Sequence, residues 1–230
     1  VRFVFSFCIA FLLCACQAPQ ISPKQDGTLS FSQSKRALQR AYQNEPFEEE
    51  FYCGVKFDPS TLALIPSPHY TPRNPTTKAN KPNPRTQRIE FEHIMSAHRF
   101  GKDLPCWRNG GRKACKNDGE FIKMEGDRRN LVPAIGEINA DRSNFSFADA
   151  PKDIVYSQYG QCKVYADFKA KRFYPQNHSK GIIARIYLYM SETYNIMLEK
   201  EELELMRKWN KLYPPNAYEK ALLRTQEALP

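Results

Sequence analysis

"RIEFEHIMSAHRFG", residues 88–101, sets Glu92 beside His93 in a run of strand-forming residues. Neighbouring side chains of a strand point to opposite faces. A Glu-His pair that serves one site therefore needs the strand to end at the pair, where the chain turns. The pattern predicts a strand over "QRIEFEHIM". The chain holds four histidines. His93 and His98 are five residues apart, so one helical face would not align them. His69 lies in a Pro-rich stretch, and His178 stands just ahead of a long helical segment.

Downstream, "PCWRNGGRKAC" reads as a loop, and a helix is expected from Pro133 to Arg142, with Pro133 tolerated in its first turn. "CKVYADFKAKRF" alternates polar and apolar residues as a strand does. The last third is helical. Ile182, Ile186, Tyr189 and Met190 share one side of the first helix, and Leu203, Met206, Trp209 and Leu212 one side of the next. A third helix opens at "PPNAYEK". Upstream, "SFSQSKRALQRAYQNE" places Phe31, Leu38 and Tyr42 on one face behind a Ser cap, and "EEEFYCGVKFD" reads as a strand. Residues 58–87, rich in Pro, Asn, Thr and Lys, read as an irregular loop. The fold class expected is α+β, with few strands and a helical C-terminal half.

With 230 residues and a net charge of +9, the chain suits one domain at 30–230, with the Pro-rich loop at 58–87 as an excursion. It is basic enough to meet a polyanion or an anionic membrane surface. "VRFVFSFCIAFLLCACQAPQ" reads as an export signal over 1–16, followed by a polar tether at 17–29. "LCAC" resembles a lipobox and makes Cys16 a lipidation candidate; the alternative is ordinary signal cleavage near Ala18. The expected place is the periplasm or the cell surface, or secretion. Beyond the signal, Cys53, Cys106, Cys115 and Cys162 suggest two disulfides. Pairing Cys106 with Cys115 across a Gly-Gly turn leaves Cys53 with Cys162. Three pairings are open to four cysteines, and a zinc site is a further alternative, although no CxxC is present.

Around the opening stretch, Glu92, His93, Arg112, Glu125 and Asn139 supply the groups for one reaction. A Glu carboxylate and an Asn carbonyl suit a hard cation such as Mg²⁺. A histidine beside them can take a proton from water, and an arginine forks onto phosphate. The order, strand, loop, helix, can build a ββα unit for phosphodiester hydrolysis. HExxH, GxSxG and the phosphate-binding glycine loops are absent.

In order along the chain, "FEHIMSAHRFG", "CWRNGGRKAC", "KMEGDRRNLVPAIGEINADRSNF", "QYGQC", "GIIARIYLYM" and "KWNKLYP" resemble the bacterial endonuclease I family of periplasmic and secreted nucleases. The resemblance covers residues 50–215. It implies a ββα-metal (His-Me finger) site that cuts DNA, and often RNA, without sequence preference, leaving 5′-phosphate ends. Carried over by residue, it makes His93 the general base, Glu92 and Asn139 the metal ligands, Arg112 the phosphate contact and Glu125 a supporting group. The implied cofactor is Mg²⁺, with Ca²⁺ or Mn²⁺ as substitutes. The implied partners are DNA and RNA, held through the phosphate backbone by a monomer. Arg85, Arg88, Arg108, Lys113, Lys123, Arg128, Arg129, Arg142 and Arg185 are candidates to line that groove. Membrane contact is expected only through a lipid on Cys16. Ser96 stands where the family usually has Pro, and Val55 where relatives carry a further Cys. The alternative reading is an envelope lipoprotein that binds nucleic acid without cutting it.

Overall fold

A computed structural model describes residues 29–45 and 47–227. The signal segment at 1–16, Cys16 and the tether as far as residue 28 lie outside the described residues. Helix α1 (Phe31–Asn44) starts on a capping box: Gln33 donates its backbone N–H to the Ser30 hydroxyl, and its side-chain oxygen accepts from Ser30 N at 2.8 Å. It buries Leu38 and Tyr42 as its spacing predicts.

The segment "EEEFYCGVKFD" is a turn and not the expected strand. The buried Glu50 carboxylate accepts from the amides of Tyr52 and Cys53, and Gly54 closes the turn at φ 67°. A carboxylate that takes these amides removes them from a strand ladder. Residues 58–87 contain isolated bridges and one 3₁₀ turn, Pro84–Thr86, as the prolines dictate.

Strand β1 (Ile89–His93) follows. Ser96 then caps helix α2 (Ala97–Gly101), its hydroxyl accepting from Arg99 N at 3.2 Å. The segment expected as a loop holds helix α3 (Pro105–Arg108) and a 3₁₀ stretch, Gly111–Asn117. Helix α4 (Gly119–Glu125) leads to strand β2 (Leu131–Ile135). β2 is antiparallel to β1, with Phe91 opposite Pro133 and His93 opposite Leu131.

Pro133 therefore lies inside a strand, and helix α5 is confined to Gly136–Arg142. The Pro133 carbonyl accepts from Phe51 N at 2.8 Å. Its nitrogen faces that same outer edge, so the missing N–H costs no bond to β1. A strand of five buried residues tolerates proline there, and the first-turn preference of proline misleads.

A small sheet, β3 (Ser146–Phe147), β4 (Tyr165–Asp167) and β5 (Arg172–Tyr174), has β5 in the centre. The single strand expected over "CKVYADFKAKRF" is this β4–β5 hairpin. Asp167 turns it by accepting from Lys169 N and Ala170 N. Helices α6 (Asn177–Tyr194), α7 (Lys200–Leu212) and α8 (Ala217–Glu227) complete an α+β fold. Trp209 is fully buried, with its indole N–H on Asp149, whereas Leu212 is exposed and lies off the buried stripe.

Cysteines 53 and 162 are bonded, and so are 106 and 115, which takes all four out of any zinc site. The first bond spans 109 residues and the second spans 9. In the chain-entropy account, loops of these lengths contribute roughly 5 and roughly 2.5 kcal/mol. Cys53→Ser with Cys162→Ser is therefore expected to lower the urea-unfolding free energy more than Cys106→Ser with Cys115→Ser. Equal losses would contradict the loop-length argument.

Candidate active site

β1, β2 and α5 form one unit, and a cavity of about 980 Å³ opens beside it. Its walls include His93, Asn139, Arg112, Glu90, and Phe31 and Lys35 of α1. Three of the residues singled out in the sequence thus meet around one space. Glu92 and Glu125 do not line it: Glu92 is buried beneath, and Glu125 borders a neighbouring recess that also touches Arg112.

β1 ends at His93, as expected; Glu92 meets Tyr52 and Arg142, whereas His93 meets Phe31, Phe100 and the Glu125 carbonyl. The turn beyond it is fastened to β2 by the buried Asn130. Its side-chain oxygen accepts from Met95 N at 2.7 Å and its amide donates to Met95 O at 2.9 Å.

His93 is nearly buried between the rings of Phe31 (4.6 Å between centroids) and Phe100 (5.8 Å). Its Nε2 lies 2.7 Å from the Glu125 backbone carbonyl. A carbonyl only accepts, so Nε2 carries the proton and Nδ1 keeps its lone pair. Burial pushes the imidazole down to about 3. Arg112, Arg142 and Lys35 push the same way, against the Glu125 bond. At neutral pH His93 is uncharged and able to accept a proton. The next residue, Gly126, packs against the start of α1 and the residue before its cap. Gly126 allows the Leu29 carbonyl to approach so closely that a Cβ would lie 1.8 Å from it, and the Ser34 hydroxyl donates to Gly126 O.

Glu92 is 1% exposed. Its Oε1 accepts from the Tyr52 hydroxyl at 2.8 Å and lies 3.4 Å from Arg142 Nη1. Among the described residues its Oε2 has no partner. Burial pushes this carboxyl up to about 7, against the pull of Arg142 and Tyr52. An orphaned buried carboxylate oxygen lacks positive charge, and a divalent cation would supply it. Asn139 donates through Nδ2 to Glu90 at 3.1 Å, which leaves its amide oxygen as a second hard donor. The donor set fits a hard cation. Among the described residues no cluster of three His, Cys, Asp or Glu side chains has metal-binding geometry, so the fit rests on one carboxylate and one amide.

Arg112 is half exposed at the mouth and bonds Glu125 Oε1 through Nε at 2.6 Å. Its guanidinium carbon lies 5.5 Å from the Phe31 ring centre. Glu125 therefore holds His93 with its backbone and Arg112 with its side chain.

Several of the expected groove residues are committed to contacts within the protein. Arg142 is buried and donates to His93 O (2.8 Å) and Ile94 O (2.5 Å). Arg185 is tied to Glu219, and Arg129 to Glu227. Arg85, Arg88 and Arg142 line the cavity, Arg142 with its guanidinium committed to the strand end. Phe31, Tyr52 and Glu90 were missed in the sequence. Strand alternation places Glu90 on the face of Glu92, but nothing local signals the other two.

The endonuclease I family model matches residues 30–227. The chain belongs to the endonuclease I family. It is 39% identical to Endonuclease-1 of Buchnera aphidicola subsp. Baizongia pistaciae, over 93% of this chain and 84% of that protein. It is 41% identical to an extracellular deoxyribonuclease of Aeromonas hydrophila (83% of this chain, 81% of the relative) and 40% identical to a periplasmic deoxyribonuclease of the same species (83% and 77%).

In this endonuclease I chain, Arg142 neutralises Glu92 and satisfies two strand-end carbonyls. Arg142→Met is expected to cost about 3–5 kcal/mol by urea unfolding, because it leaves a buried charge unpaired. Adding Glu92→Gln should restore part of that loss. Two independent, additive losses would contradict the coupling.

Proposed function

We propose that this chain is a metal-dependent, nonspecific endonuclease that hydrolyses phosphodiester bonds of DNA to 5′-phosphate ends. One observation carries the reading: His93 has Nε2 committed to the Glu125 carbonyl, and it shares one cavity with Asn139 and Arg112. Relatives named as deoxyribonucleases support DNA as the substrate. The site is then of the ββα-metal type, with β1, β2 and α5 as its unit.

Glu92 and Asn139 would hold one Mg²⁺, or Mn²⁺ or Ca²⁺ in its place, which when bound supplies positive charge to the scissile phosphate and the leaving 3′ oxygen. His93 takes the proton of the attacking water at Nδ1. The imidazolium that forms keeps its Nε2–H on the Glu125 carbonyl, so the ring does not rotate as it charges. Arg112 is tied through Nε, and its two terminal nitrogens are left to fork onto the phosphate as charge builds there. Lys35, Arg85 and Arg88 offer charge to flanking phosphates. Such contacts give affinity without reading sequence. Two disulfides and the periplasmic and extracellular relatives support an exported protein. Lipidation at Cys16 rests on the sequence alone, and the mass of the mature N-terminus tests it.

Purified protein is expected to nick supercoiled plasmid with Mg²⁺, to stop with chelator, and to lose about two to four orders of magnitude in rate with His93→Ala. Salt-sensitive DNA binding without metal-dependent nicking would replace this reading with that of a non-cutting DNA binder.

The pH dependence has a definite sign. A raised carboxyl pKa means that protons compete with the cation below about pH 7 at Glu92. The Mg²⁺ concentration for half-maximal cleavage should therefore rise as pH falls through 7, while His93 stays neutral to about pH 3. A half-maximal Mg²⁺ concentration unchanged between pH 8 and pH 5.5 would exclude Glu92 as a ligand.

A further inference from the structure

Two carboxylates on one face of β1 are used in different ways. Glu92 has an orphaned oxygen, whereas Glu90, two residues earlier, is fully engaged. Arg85 grips both Glu90 oxygens, with Nε on Oε1 at 3.0 Å and Nη2 on Oε2, and Arg88 Nη2 stands 3.4 Å from Oε1. The third partner is Asn139, whose Nδ2 donates to Oε2 at 3.1 Å.

The backbone is arranged to permit this. α5 begins at Gly136, whose N–H donates to Arg88 O at 3.0 Å. A Cβ there would lie 2.9 Å from the Arg85 carbonyl and 3.1 Å from the Glu90 carboxyl carbon and oxygen. Only glycine lets the helix start so near the Arg85–Glu90 pair. Asn139 follows three residues later, on the same side of the helix.

An asparagine amide has two nearly isosteric ends, one that donates and one that accepts. A carboxylate gripped by arginine accepts only. Beside Glu90, the amide must therefore present its nitrogen, and its oxygen is left on the other side, for the cavity that Asn139 lines. The reverse orientation would set oxygen against oxygen.

We propose that Glu90, held by Arg85, is a positioning residue that locks the Asn139 amide with its oxygen towards the cation site. The lock rests on the reading of Asn139 as a metal ligand. It divides the work of the strand: Glu92 is free to ligate, and Glu90 serves orientation. It also gives the end of the irregular loop a role, since Arg85 lies in the 3₁₀ turn Pro84–Thr86 that closes it.

The test uses the whole disulfide-bonded protein, stripped with chelator, and Mn²⁺ titration followed by the EPR signal of the free ion. Asn139→Ala is expected to weaken Mn²⁺ binding. Glu90→Gln, nearly isosteric and able to bond either end of the amide, should weaken it about tenfold, as orienting partners of metal ligands do. Arg85→Met should move affinity the same way. The rate of plasmid cleavage at saturating Mn²⁺ should stay close to wild type for Glu90→Gln, whereas Arg85→Met, which also removes a cation from the cavity wall, is read by Mn²⁺ affinity alone. In an Asn139→Asp background, Glu90→Gln should cost no affinity, because a carboxylate needs no orientation.

Wild-type affinity in both Glu90→Gln and Arg85→Met, with Asn139→Ala weakened, overturns the lock and leaves the ligand intact. An equal loss from Glu90→Gln in the Asn139→Asp background overturns it too, since Glu90 would then act on the cation by charge or direct contact. If Asn139→Ala binds Mn²⁺ normally, the ligand reading fails and the lock falls with it.

Discussion

The buried guanidinium of Arg142 is the constraint around which the site is built. It donates to the carbonyls of His93 and Ile94, where β1 runs out of partners, and it stands against the Glu92 carboxylate. A strand end inside a protein has backbone acceptors that must be satisfied. An arginine from α5 satisfies two of them and fixes the helix against the strand in the same contact. The spacing between the Glu92–His93 pair and Asn139 then follows from the covalent run of α5. The remaining cost is electrostatic: Glu92 keeps one oxygen without a partner. A site under such tension has use for a cation.

The second face of β1 is handled differently. There His93 is dried by Phe31 and Phe100 and given a fixed tautomer by one carbonyl. The N-terminal helix is therefore part of the site and not an ornament. Phe31 touches the His93 ring and lies beneath Arg112 and Lys35. On the far side of α5, the Pro-rich loop is bound to the same helix. Glu137 accepts from the Tyr70 hydroxyl and Arg73 N, and Asp141 holds Arg73 and Tyr159. The loop holds only isolated bridges and one 3₁₀ turn, yet it braces the helix that carries Asn139.

Much of this was legible in the sequence for identifiable reasons. Long periodic helices declare themselves: α1, α6 and α7 fall where their apolar spacing puts them, and α8 follows the prolines that open it. The Gly-Gly turn and the even count favoured the observed disulfide pairing among the three that four cysteines allow. Motif order brought His93, Arg112 and Asn139 together before any coordinates. Short elements were harder. Pro133 in a buried strand mimics a helix start, because the sequence does not say which edge its nitrogen faces. Glu50 turns a strand-like run into a loop through contacts that only folding creates. The sequence made Arg142 a candidate for the phosphate groove, because charge alone does not reveal burial. Glu90 was hidden by its neighbour, although alternation put both on one face.

The central claim is that His93 takes the proton of the attacking water, and chemical rescue tests it most directly. His93→Gly leaves a space the size of the imidazole, and added imidazole can enter it. The variant is expected to cut plasmid very slowly with Mg²⁺. Its rate should rise with the concentration of neutral imidazole, and not with imidazolium, in a pH series. A His93→Gly protein that folds and binds Mn²⁺ normally yet cuts at the wild-type rate without imidazole would contradict it.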